Sequence, residues 1–137
     1  KIVASVTNDC EMISAALLHD VLEDTEATYE DLITFGFGKG IADLVQELTD
    51  VSKPSDGNRA VRKAKDREHL AGASDRAKTI KLADLLHNTG SIVQHDKAFA
   101  SIYMEEKRAL LQVLVGGDTS LMEKALKRVE SWDKLNN

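Results

Sequence analysis

The sequence predicts an all-α fold, a bundle of helices, on three observations. Apolar residues recur at i, i+3, i+4 and i+7 in one segment after another. No β-branched run alternates between turn residues as a half-buried strand would. The breaks between segments are short clusters of Gly, Asp, Ser and Asn. The chain has 137 residues, 42% of them hydrophobic and 30% charged, with a single proline and no repeat or low-complexity tract, so one domain over residues 1–137 is expected.

Each element follows in order. Ile2, Val3 and Val6 read as the last turns of a helix already under way, since no capping residue precedes them. Asn8 or Asp9 caps the next helix, which runs through Ile13, Ala16 and Leu17 to His19-Asp20. Thr28-Tyr29-Glu30-Asp31 has the form of a capping box with Asp in the place of Glu; it opens a short helix containing Leu32, Ile33 and Phe35, which Gly36 and Gly38 end. Ile41, Leu44, Val45 and Leu48 mark an amphipathic helix, and Pro54-Ser55-Asp56-Gly57 a turn after it. Arg59 to Ala73 is polar and helical with few apolar anchors, which predicts a mobile segment. Ser74 caps a helix that holds Ile80, Leu82, Ala83, Leu85 and Leu86 and is apolar on almost every side. Phe99, Ile102, Tyr103, Leu110, Leu111 and Leu114 describe a longer helix. Gly116-Gly117-Asp118 breaks it, and Leu121, Ala125, Leu126, Val129 and Trp132 form a last one.

Composition excludes several classes of function. No run approaches the roughly 18 apolar residues of a membrane span, and the first residues do not read as a signal peptide. The lone Cys10 allows no intramolecular disulfide, so a reducing cytoplasm is the expected compartment. Net charge is −5, but residues 53–81 carry nine Lys/Arg against four acids. So acidic a chain lacks the broad basic face that nucleic acids require. A basic segment beside an acidic, metal-holding site suits a small polyphosphate instead.

The chemistry concentrates in Ala15-Ala16-Leu17-Leu18-His19-Asp20-Val21-Leu22-Glu23-Asp24-Thr25. On a helix, His19 and Glu23 lie about 40° apart, and Asp20 and Asp24 widen the stripe to about 140°. These acids either face water or, on a helix approached by apolar residues, neutralise a divalent cation. Imidazole with carboxylates suits Mn²⁺, Fe²⁺ or Zn²⁺ better than Ca²⁺ or Mg²⁺. His19 and Asp20 are too few as ligands. Asp84, the lone acid in a second apolar helix, supplies a third, and Asp84, Asn88 and Ser91 recur at i, i+4, i+7 on one narrow face.

Three stretches together carry a family resemblance: the His19 segment, Phe37-Gly38 through Leu44-Val45-Gln46-Glu47-Leu48-Thr49, and Lys81-Leu82-Ala83-Asp84-Leu85-Leu86-His87-Asn88. They resemble the HD-domain metal-dependent phosphohydrolases, and more narrowly the hydrolase domain of the RelA/SpoT homologues, the guanosine 3′,5′-bis(diphosphate) 3′-pyrophosphohydrolases, over most of the chain up to about Leu114. The resemblance implies an HD-domain helical bundle in which His19, Asp20 and Asp84 ligate a metal, Mn²⁺ foremost. Glu23 and Asp24 match the acidic pair that handles protons beside it. Asn88 and Ser91 match positions that hold the nucleoside. The implied reaction releases pyrophosphate from the 3′ position of guanosine tetra- or pentaphosphate. The alternatives are hydrolysis of another nucleotide, or a degenerate module that binds a nucleotide without cleaving it.

The chain departs from the family pattern in places. A first histidine ligand is expected two residues before Lys1, outside this sequence, so the N-terminal part of the domain is expected to be missing. Leu85 and Gly90 stand where the long stringent-response enzymes carry basic residues, which fits a small stand-alone form. Of the remaining candidates, His87 reads as a hydrogen-bonded core histidine, Asp96 of His95-Asp96 as a helix cap, and His69 as exposed.

Overall fold

A computed structural model describes the backbone of every residue except Lys1, Val6, Asn8, Thr25, Glu26, Asp96 and Asn137; among these, the side chains at 20–24, 90–95, 97 and 136 lie outside the described set. The described residues form seven α-helices and no strand. They are α1 (Cys10–Asp24), α2 (Tyr29–Thr34), α3 (Gly38–Leu48), α4 (Arg59–Ala71), α5 (Asp75–His95), α6 (Lys97–Val113) and α7 (Thr119–Asn136). Single 3₁₀ turns stand at Val3–Ser5 and Pro54–Asp56. None of the described helices is long and apolar enough to cross a membrane.

Local chemistry sets the starts of these helices. Asp9 caps α1, its Oδ1 accepting from the Met12 amide at 3.2 Å. Thr28 completes the expected capping box, its own amide donating to Asp31 while its hydroxyl accepts from the Asp31 amide. Ser74 accepts from the Ala77 amide, and Asp118 from that of Leu121, at the starts of α5 and α7. Each such cap satisfies an amide that the first helical turn leaves without a partner.

Helix α5 is the centre. It packs against α1, α3, α6 and α7, while α4 lies across α3 and α6. Buried residues at Ala77, Thr79, Ile80, Leu82, Ala83, Leu85, Leu86 and Thr89 surround α5 on nearly every side. At the turn before α7, a Cβ on Gly117 would lie 2.8 Å from Leu82 Cδ1 and 3.2 Å from the backbone of Lys78 and Thr79. Only glycine lets that turn press so closely on α5. At the same end, Arg76 in the first turn of α5 donates to both carboxylate oxygens of Asp9 at 3.0 Å and to Glu11 at 2.9 Å.

Several expectations change. Ile2 and Val3 belong to a turn rather than to the end of a helix. Gly36, at φ +90°, does end α2, but Gly38 opens α3. The approach to His19 is not apolar and buried all round: Met12 and Ala15 are buried, while Leu17 is 71% exposed. Helix α4 has an anchor that apolar periodicity does not reveal. Its buried Asp66 accepts from the amides of Val51 and Ser52 at 2.9 Å each and from the Ser52 hydroxyl at 2.8 Å. Arg59 adds a paired contact to Glu106 of α6 and stacks on Phe99.

Candidate functional site

Helices α1 and α5 bring His19 and Asp84 together. His19 is 7% exposed, and its Nδ1–H donates to the Ala16 carbonyl at 2.8 Å. A carbonyl can only accept, so in the neutral ring the lone pair sits on Nε2. Nε2 stands 3.8 Å from Asp84 Oδ1. That separation is too long for a hydrogen bond, and the two atoms, an imidazole nitrogen and a carboxylate oxygen, are of the kind that would hold a divalent cation. The donor set fits a transition metal, and the backbone bond to Nδ1 is the support that orients a metal-binding imidazole.

Asp84 also accepts from Lys81 Nζ and from Asn88 Nδ2, both at 3.3 Å. Burial works against its charge, but His19 and Lys81 outweigh it and hold the carboxyl below the ordinary carboxylate range. It stays an anion, as a ligand must.

Two recesses meet at this carboxylate. One, of about 270 Å³, is lined by Ile2, Val3 and Ala16 together with His19, Asp84 and His87. The other, of about 160 Å³, lies between α4, α5 and α6, and into it come the cations Lys63, Arg67, Lys81 and Lys107. Asn88 and Tyr103 line it too. One side of Asp84 is therefore shaped for a cation and the other for an anion. Most acids of the second recess are already engaged: Asp66 by the Val51–Ser52 backbone, Glu106 by Arg59, and Asp84 by Lys81.

His19, Asp84 and Asn88 thus come together as expected. Asp20, Glu23 and Asp24 lie on the last turns of α1 and Ser91 on α5, but their side chains, like those of Gly90 and His95, are outside the described residues, as is Asp96 entirely. Among the described residues no group of three or more His, Cys, Asp or Glu is placed to hold a metal. His87 is exposed and lines the recess of His19 rather than the core. His69 is half-buried, with Nε2 3.3 Å from the Gln46 carbonyl. Leu85 is a core residue that also touches the basic cleft.

Sequence reasoning missed Lys107, which is 1% exposed. A signal existed. Along α6 the described buried residues are Ala100, Met104, Lys107 and Leu111, continued by Leu114 just past its end, an alternating 4-3 spacing with the lysine in the middle of the inward stripe.

The HD domain family matches residues 1–113. A guanosine-3′,5′-bis(diphosphate) 3′-pyrophosphohydrolase, MESH1, of Danio rerio is 46% identical over 81 residues, which is 58% of this chain and 42% of that protein. The Drosophila melanogaster MESH1 is 43% identical over 86 residues, 63% of this chain and 46% of its own length. The bifunctional (p)ppGpp synthase/hydrolase SpoT of Escherichia coli is 40% identical over 90 residues, 64% of this chain and 13% of that protein. The chain spans less than half the length of these curated relatives. No solved structure gives a significant match. With 113 of its residues matched and the His-Asp and distant Asp of the motif on adjoining helices, the chain belongs to the HD domain family.

Proposed function

We propose that this chain carries the hydrolase site of a metal-dependent phosphohydrolase that releases pyrophosphate from the 3′ position of guanosine 3′,5′-bis(diphosphate). The observation that carries the reading is the position of Asp84 between a histidine on one side and a cationic cleft on the other. The relatives named as guanosine bis(diphosphate) pyrophosphohydrolases support the substrate.

His19, Asp20 and Asp84 would hold the ion, with Mn²⁺ the first candidate for a mixed imidazole and carboxylate set. When bound, the metal supplies Lewis-acid polarisation of a phosphoryl oxygen and acidifies water. The residues of the chain do the rest. Glu23 and Asp24, one turn beyond His19 on α1, would take the proton of the attacking water and return one to the leaving ribose oxygen. Lys63, Arg67 and Lys81 would neutralise phosphate charge in the cleft, and Asn88 and Ser91 would orient the nucleoside. Fixing these groups in advance is what lets them act without reorganisation.

The test is pyrophosphate release from guanosine 3′,5′-bis(diphosphate) by the chain with Mn²⁺ added. Turnover that Asp84→Ala abolishes together with bound metal is expected. No release from that substrate, with metal bound, would overturn the assignment.

A further inference from the structure

We propose that Lys107 is an anion-binding residue of the cleft, its ammonium taking a phosphoryl group of the bound nucleotide other than the one being cleaved. The proposal rests on the reading of the cleft as a nucleotide pocket and adds to it a residue that no motif marks. Lys107 comes from α6, is 1% exposed, and yet lines the cleft beside Lys81, Asp84 and Asn88. Its Nζ donates to Thr89 Oγ1 at 2.9 Å, and that hydroxyl donates to the Leu85 carbonyl at 2.6 Å. The ammonium is thereby held in place by one of its three hydrogens.

Among the described residues no carboxylate forms an ion pair with it. A buried ammonium without a counter-anion is costly and ordinarily rare. The groups packed around it deepen the deficit. Arg128 of α7 reaches the Leu86 carbonyl, Lys63 and Arg67 enter from α4, and Lys81 from α5. The acids facing the cleft do not offset them: Asp66 is bound to backbone, Glu106 to Arg59, and Asp84 to Lys81, while Asp50 is exposed. Tyr103, on the same helix, has a phenol that burial keeps protonated. Burial, with Arg128 adding to it, lowers Lys107 to about 8. An arriving phosphate supplies the missing anion and restores the proton.

Position decides which phosphate. Thr89 stands five residues beyond Asp84 on α5, about 7–8 Å along the helix axis. A phosphoryl oxygen at Lys107 is therefore a second group, one phosphate or more away from the metal-side carboxylate. This favours nucleotides with a diphosphate at the far end of the sugar.

The test is calorimetric binding of guanosine 5′-diphosphate to the full chain in EDTA, where no turnover occurs. Lys107→Met, which keeps the length of the stem, is expected to bind it at least tenfold more weakly and to bind guanosine as the wild type does. At pH 8.5 wild-type binding should take up a fraction of a proton, read from two buffers of different ionisation enthalpy. Equal diphosphate affinity in the two proteins, no diphosphate binding by the wild type, or no proton uptake would each overturn the proposal; should Lys107→Met not fold, the proton uptake of the wild type decides. A chain that binds diphosphate through Lys107 but releases no pyrophosphate overturns the hydrolase reading alone. An active chain whose binding ignores Lys107 overturns only this one.

Discussion

Helices α3 and α5 pack against each other and meet the same burial problem in opposite ways. Helix α3 hides one stripe, Ala42, Leu44, Val45 and Leu48, and leaves Lys39 and Gln46 in water. Its polar residues stay within reach of solvent, and those with protein partners, Asp43 with Tyr29 and Glu47 with Ser74, sit at the edge of the stripe. Helix α5 is covered on most sides, and its described inward polar groups have specific partners: Thr79 accepts from the Asp118 amide, Thr89 bonds Leu85 and Lys107, and Asp84 gathers Lys81 and Asn88. The polar groups of α3 keep access to water, whereas the buried ones of α5 are retained against the cost of burial. That difference separates wall from site.

The sharpest way to break the comparison is Asp84→Asn. If Asp84 is a ligand, its loss should lower turnover by at least about a thousandfold, some 4 kcal/mol on the barrier, and strip the metal, while thermal stability falls by less than a core deletion costs because Asn keeps the size of this half-buried side chain. A drop in stability matching that of a core deletion would put Asp84 with the wall. Leu44→Ala on α3 is expected to do the reverse, with denaturant unfolding showing a loss of about 2–5 kcal/mol and metal affinity of the folded protein unchanged.

Lys107 sharpens the comparison from α6, and its sign is opposite to that of an ion-paired group. Its folded-state value, about 8, lies below the 10.5 of a free lysine. Below pH 8 both states are protonated and the fold bears the full cost of the buried charge. Between 8 and 10.5 the unfolded chain holds more protons, so stability rises with pH, by about 3 kcal/mol in total. Unfolding of wild type and Lys107→Met at pH 7.5 and pH 10 checks this, the wild type gaining on the variant. The smallest effect is Thr28→Ala in the capping box of α2. A loss of about 1 kcal/mol in unfolding free energy with turnover intact is expected.

How much of this was legible in the sequence depends on the distance over which each contact acts. Caps at Asp9, Thr28 and Ser74 act within three residues, and helical periodicity within seven, so those helices and their starts could be read directly, while Asp118, which caps α7, was read only as part of a break. The pairing of His19 with Asp84 was reachable because each helix alone shows a polar break in an apolar run. The cleft was not. Asp66 is buried by amides 14 and 15 residues away, and Lys107 by a threonine 18 residues away on another helix. Solvent exposure at Leu17 and His87 was misjudged for the same reason, since what covers a face is decided by neighbours distant in sequence.

The fork from Arg76 to Asp9 and Glu11 acts on tolerance rather than on energy. Glu11 precedes His19 by eight residues, and Arg76 precedes Asp84 by eight, so α1 and α5 run in the same direction with two cross-links about 12 Å apart. Half-exposed ion pairs contribute little to stability. Here the pair works as a ruler. A slip of one residue along either helix shifts its side chain by about 1.5 Å and turns it by about 100°, enough to part His19 from Asp84. Alignment of His19 with Asp84 is thus set at the far end of the helices, on a surface that can be altered without touching the site and yet leave it out of gauge.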